Sequence, residues 1–187
     1  MSGQRSIFFQ QVVILSACAL LDLTAGSVLE HMRHGLEALP GLIILVPPLI
    51  DMRGNIGCAL GSRLGTALHL GTIKPRLAIT HELKINVLSA IIVSVLASFA
   101  VGILSFTIGV LANQAVGPPY IFVFIALFAG ILSGLILIPI TVIITTVAYR
   151  RRWDPDNVTA PLMTTLGDIV AILCIFLAVV LVGWLGW

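Results

Sequence analysis

Residues 85–149 read INVLSAIIVS VLASFAVGIL SFTIGVLANQ AVGPPYIFVF IALFAGILSG LILIPITVII TTVAY and contain no Asp, Glu, Lys, Arg or His. One membrane span needs about 20 apolar residues. The stretch therefore holds two spans, with turn chemistry between them at Asn113-Gln114 and Pro118-Pro119. The rest of the chain agrees. Of its 187 residues, 59% are hydrophobic and only 10% charged, where a soluble domain has about 25% charged. Mean hydropathy is +1.14. No room is left for a separate soluble domain, and a net charge of +2 argues against a nucleic-acid partner. Cys18, Cys58 and Cys174 have no CxxC or Cys/His spacing and read as buried, inert thiols.

Working outward, the pattern predicts an all-α polytopic membrane protein with five transmembrane helices. They cover about Ile7–Leu29, Leu39–His69 (broken in character), Ile85–Leu111, Tyr120–Ala148 and Val158–Leu185. The further breaks are expected at His34-Gly35, Pro75 and Asp154-Pro155. Asp22 lies in the first apolar run, and no small-residue cleavage site follows, so that run reads as a span and not a removed signal peptide. Five spans put Arg5, Arg63, Lys74, Arg76, Lys84, Arg150, Arg151 and Arg152 on one side and leave Arg33 on the other. Lys/Arg excess marks the cytoplasmic side, which sets the N-terminus inside and the C-terminus outside.

Polar residues at membrane depth carry the functional signal. A carboxylate at mid-bilayer costs at least about 2.5–3.5 kcal/mol on insertion scales and normally faces a water-filled path or a partner. Asp168 lies deep in the fifth helix. At about 100° per residue, Asp154, Asn157, Thr164, Thr165 and Asp168 fall on one stripe about 21 Å long. Its oxygens suit a hard cation. The alternative is that Asp168 bonds a neighbouring helix, the threonines bond back to their own carbonyls, and Asp154 caps the helix at Pro155.

The second constellation is Pro47-Pro48-Leu-Ile-Asp51-Met-Arg53-Gly54-Asn55-Ile-Gly57. Two prolines inside an apolar run are expected to loosen the helix and free carbonyls. Asp51 and Arg53 pair with each other or with other helices, and Asn55 lies one turn from Asp51. The competing reading is a structural kink whose charges only fix packing. Gly57, Gly61 and Gly65 form a small-residue stripe for close packing, within the chain or between subunits. Asp22 is either part of the path or a structural contact. His31, His34, His69 and His81 lack tight metal spacing and read as solvated or interfacial.

These two motifs resemble the MgtE magnesium transporter family. Residues 48–57 and 59–66 are similar to its second-helix motif, in a form nearer to the eukaryotic solute-carrier relatives than to bacterial MgtE. Asp154-Pro155, Pro161-Leu162, Thr164-Thr165 and Asp168 resemble the entry to its fifth helix. The resemblance implies a homodimer with the pore between two five-helix units and Asp168 of both subunits at a central site for a largely hydrated ion. Asp154 would be its cytoplasmic-end aspartate and Asn55 its second-helix asparagine. Asp51 and Arg53 stand where bacterial MgtE has small residues. The cytoplasmic N-terminal and CBS domains of bacterial MgtE are not expected, and residues 1–187 read as a single transmembrane domain that pairs with itself.

The resulting expectation is a Mg2+ transporter or channel of the cell membrane. Its metal-contacting residues are Asp168, Thr164, Thr165, Asn157, Asp154, Asn55 and Asp51. Mg2+ is the cargo, with a regulatory role at Asp154, Asp156 and Glu82. The alternatives are a Na+- or H+-coupled exchanger and a non-transporting accessory subunit. No His/Glu zinc motif or Ser/His pair points to an enzyme.

Overall fold

The computed structural model describes residues 2–37, 40–73 and 80–184, with side chains from Phe8 onward except those of His34 and Glu37. It contains α1 (Ser2–Glu37), a 3-10 turn (Leu42–Ile44), α2 (Val46–His69), α3 (His81–Leu111), α4 (Pro119–Arg150) and α5 (Pro155–Trp184). All five α-helices are long and apolar enough to cross a membrane. The expected turn at Pro75, the basic residues Lys74 and Arg76, and the expected helix bounds Leu39 and Leu185 lie outside the described residues.

α1, α3, α4 and α5 begin before their expected starts, because a helix satisfies its backbone polar groups whether or not lipid surrounds it, whereas α2 begins only at Val46. Thr80 caps α3 by accepting from the Leu83 N–H at 3.2 Å, which moves the start back to His81. Asn113, at φ 52°, closes α3 as the turn chemistry indicates. Pro119 and Pro155 each open a helix, where a missing N–H is harmless.

Two expected breaks are corrected. His34-Gly35 does not interrupt α1, which continues to Glu37. A helical glycine costs only about 1 kcal/mol relative to alanine, too little to end a long helix. The reversal instead uses Gly41, at φ 80°. Pro47 and Pro48 do not kink the second span from within. They occupy the first turn of α2, whose cap is Leu45, where their missing donors would have been orphaned anyway. The 3-10 turn before them closes through Leu45 N–H to Leu42 C=O at 2.9 Å.

The glycine stripe of α2 packs within the chain. A methyl placed on Gly57 would lie 3.0 Å from Met163 Cε, on Gly61 2.5 Å from Thr159 Cγ2, and on Gly65 3.4 Å from Pro155 Cβ. α2 and α5 therefore run together at glycine distance. The buried face of α3 is likewise small: Ala90, Ser94, Ser98, Gly102, Ser105 and Gly109. A methyl on Gly102 would sit 2.9 Å from Val123 Cα, so α3 and α4 approach backbone to backbone.

Apolar packing is divided along the bundle. One cluster joins Leu42, Leu45, Leu49, Phe122, Ile125 and Ile175. A second joins Leu60, Leu64, Leu68, Ile73, Ala90 and Ile138. On α2 the break between them contains Arg53, and on α4 it contains Gly130 and Gly134.

Candidate cation path

The polar residues of the two motifs do not share one environment. On α2, Asp51 and Asn55 are exposed, whereas Arg53 is buried at 2% exposure. Residues two apart on a helix point about 200° apart, so the expected direct Asp51–Arg53 pair does not form. Asp51 Oδ2 instead accepts from Asn55 Nδ2 at 2.8 Å. Among the described residues, Arg53 has no carboxylate hydrogen-bond partner. One terminal nitrogen donates to Ser94 Oγ and to Gly130 C=O, the latter at 2.9 Å. The other donates to Ser98 Oγ at 2.9 Å and Ser94 C=O at 3.4 Å.

On α5, Thr164 is exposed, Asp168 half-buried and Thr165 buried at 3% exposure. Thr164 Oγ1 donates to Ala160 C=O at 2.8 Å, which leaves its lone pairs outward. Cys58, half-buried and not buried as its apolar context indicated, lies 3.8 Å from Thr164 Oγ1. Asp22, on α1, and Asp51, on α2, lie near enough to Asp168 for their charges to bear on it. Three helices, α1, α2 and α5, thus bring three acids to one region. Among the described residues no three His, Cys, Asp or Glu side chains come close enough to hold one metal ion together. The three acids share a field without forming a chelate.

The start of α5 forms a second polar patch. Asp154 Oδ1 accepts from the Asp156 N–H at 3.1 Å, and Oδ2 accepts from Asn157 Nδ2 at 3.4 Å. Gln11 Nε2 on α1 donates to Asn157 Oδ1 at 3.3 Å. Asp154 therefore caps the helix and also presents an exposed carboxylate. A cavity lined by His69, Tyr149, Arg150, Arg152, Trp153 and Asp154 gathers the ends of α2, α4 and α5 here. From this end Asn157, half-buried, and Thr164 lead along α5 toward Asp168. Thr165 faces the packed interior.

Between α2 and α3 a crevice of about 530 Å³ opens on the face that carries Asp51 and Asn55. Asp51, Asn55, Arg63, Asn86 and Ser89 are its polar lining, set among apolar side chains. The open polar face is therefore broader than the α5 stripe alone.

Two parts of this arrangement escaped the sequence reading. The approach of Asp22 to Asp168 depends on how α1 docks on α5, which no single-helix pattern reveals. The receptor for Arg53 left a legible trace: Ser94 and Ser98 lie one turn apart in the apolar middle of α3.

Five membrane-length apolar helices with carboxylates gathered on an open face define a multi-pass membrane protein built around charged groups at membrane depth. Residues 46–178 match the MgtE family, described as a divalent cation transporter. The chain belongs to that family. The match takes in both motifs and all of α3 and α4, while α1 with Asp22 precedes it. The chain is 27% identical over 172 residues to solute carrier family 41 member 3 of Rattus norvegicus, covering 86% of this chain and 35% of that protein. It is 28% identical over 164 residues to solute carrier family 41 member 2 of Gallus gallus, covering 80% and 27%. It is 26% identical over 164 residues to member 2 of Homo sapiens, with the same coverage of 80% and 27%. The chain thus spans about a third of the length of the curated relatives it matches.

Proposed function

We propose that the chain carries Mg2+ across the cell membrane along a path lined by Asp168, Thr164, Asp51 and Asn55, between two copies of the chain. The observation that carries this reading is that Asp51, Asn55 and Thr164 are exposed and Asp168 only half-buried, on two helices packed at glycine distance. Uncovered carboxylates at membrane depth are costly against lipid. A second copy facing the first would enclose them. Two Asp168 side chains would then balance one divalent charge. An ion that sheds its water reluctantly would be held there through that water.

Asp154 and Asn157 form the entrance, at the end where Arg63, Lys84 and Arg150–Arg152 gather. Lys/Arg excess makes that end cytoplasmic, so the N-terminus is inside and the C-terminus outside. Thr165 contributes through packing and not as an open ligand. Asp154, Asp156 and Glu82 are exposed and available for regulatory Mg2+ at the same end. Membership in a transporter family supports a non-enzymatic role.

Asp22 favours a second reading, exchange driven by H+ or Na+, because a third carboxylate gives a driving ion somewhere to bind. Purified protein in liposomes decides among these. Mg2+ uptake that ignores imposed Na+ and pH gradients leaves the uncoupled path. Dependence on either gradient selects the exchanger. No flux of any divalent ion leaves the accessory-subunit reading and sinks the proposal. Cross-linking through cysteines placed at the open face tests the dimer.

A further inference from the structure

Arg53 is a buried cation whose receptor is built from three helices. Ser94 and Ser98 stand one turn apart on α3, and Gly130 and Gly134 stand one turn apart on α4. The glycines clear the space. A methyl on Gly130 would lie 3.3 Å from one terminal nitrogen of Arg53 and would overlap Ser98, and a methyl on Gly134 would lie 3.4 Å from the other nitrogen. Ser98 Oγ also donates to Ser94 C=O at 2.6 Å, which orients its lone pairs toward the guanidinium. Nε alone is left without a partner.

Packing alone does not explain this construction. A buried charge replaced by an apolar side chain of similar volume is often neutral or stabilising, and the best-attested gain from keeping one is register. Arg53 sits between the two apolar clusters, where greasy side chains would permit α2 to slide or turn. Its planar fork reaches both serines and a carbonyl at once, which a point charge cannot do. Arg53 lies midway between Asp51 and Asn55 in sequence and points to the opposite side of α2. Its backbone touches the helix that carries Asp168: a methyl on Gly167 would meet Gly54 N at 2.9 Å and Arg53 C at 3.3 Å.

We propose that Arg53 is a positioning residue for the cation path: docked on Ser94, Ser98 and Gly130, it sets the rotation and height of α2 so that Asp51 and Asn55 face outward beside Asp168. This rests on the cation-path reading, and its test includes an arm that needs no transport. Asn55→Cys is introduced into protein whose three native cysteines are replaced by alanine, and labelling by a membrane-impermeant thiol reagent is timed. Arg53→Met slows labelling by about tenfold, as the outward-facing population of α2 falls, and Arg53→Lys recovers part of the rate. In otherwise native protein, Arg53→Met raises the KM for Mg2+ by about tenfold, below the roughly hundredfold that an ångström of misplacement can cost, while thermal stability and dimer content hold. Should Arg53→Met fail to fold, Ser94→Ala with Ser98→Ala keeps the arginine, removes two acceptors, and is judged by the same two readouts. Labelling within about twofold of the parent, with α2 as exposed as before, overturns the proposal. So does a variant that loses stability with KM unchanged. Wild-type protein that carries no Mg2+ overturns the transport reading instead, and the labelling arm still decides this one.

Discussion

Asp51 and Arg53 are two residues apart, carry opposite charges, and meet opposite conditions. Arg53 is enclosed by α3 and α4, with its two terminal nitrogens bonded to five acceptors including the weak Met52 sulfur. Asp51 is exposed and accepts from Asn55, one turn along its own helix. Burial within protein suits a group that holds structure. Exposure at membrane depth suits a group that faces water or an ion. The same helix serves both purposes by turning one charge in and the other out, so the two faces of α2 should respond differently to substitution.

The largest effect should come from crowding the shared support of both faces. Gly61→Leu drives a side chain into Thr159 and should separate α2 from α5. Overpacking costs typically about 1–3 kcal/mol, so the thermal midpoint of purified protein should fall by several degrees along with flux. Unchanged stability would mean that α2 and α5 are not packed at glycine distance. Next comes the outward face. Asp51→Asn should weaken Mg2+ transport by about tenfold in kcat/KM, equivalent to about 1.4 kcal/mol of lost charge interaction, with stability held. A fall in stability instead would place Asp51 with Arg53 as a structural group. The smallest effect belongs to the entrance. Asp154→Ala removes the cap on α5 and should cost about 1 kcal/mol of stability. If Asp154 also meets the ion, Asp154→Asn, which retains capping ability, should restore the stability but not the flux.

The number of helices was legible because long apolar runs and Asn113, Pro119 and Pro155 act locally. The proline pair at 47–48 is ambiguous in sequence for a physical reason. A proline breaks a helix only if the helix has already begun, and the place where it begins is set by the left-handed turn at Gly41. His34-Gly35 misleads for the opposite reason, since one glycine cannot outweigh the backbone hydrogen bonds of a long helix in lipid. Within the site, Asp168, Asp51 and Asn55 stood out because each is polar where lipid is expected. The role of Arg53 was not legible from α2 alone. Its partners are 41, 45 and 77 residues away in sequence, and its i+2 offset from Asp51 suggests proximity where helical geometry gives opposition. The spacing of Thr164 and Thr165 places both near Asp168, but only the structure separates the open threonine from the buried one.

Asp168→Asn tests the central claim most directly, because it keeps the side-chain volume and removes the charge toward which Asp22 and Asp51 converge. Purified wild-type and variant protein are reconstituted at equal density, and Mg2+ entry is followed with an enclosed indicator. The carboxylate path predicts that wild-type vesicles fill and that the variant loses its flux by about a hundredfold, the scale of a lost interaction in a preorganised charged site, with dimer content and thermal midpoint intact. Undiminished flux through Asp168→Asn would contradict it.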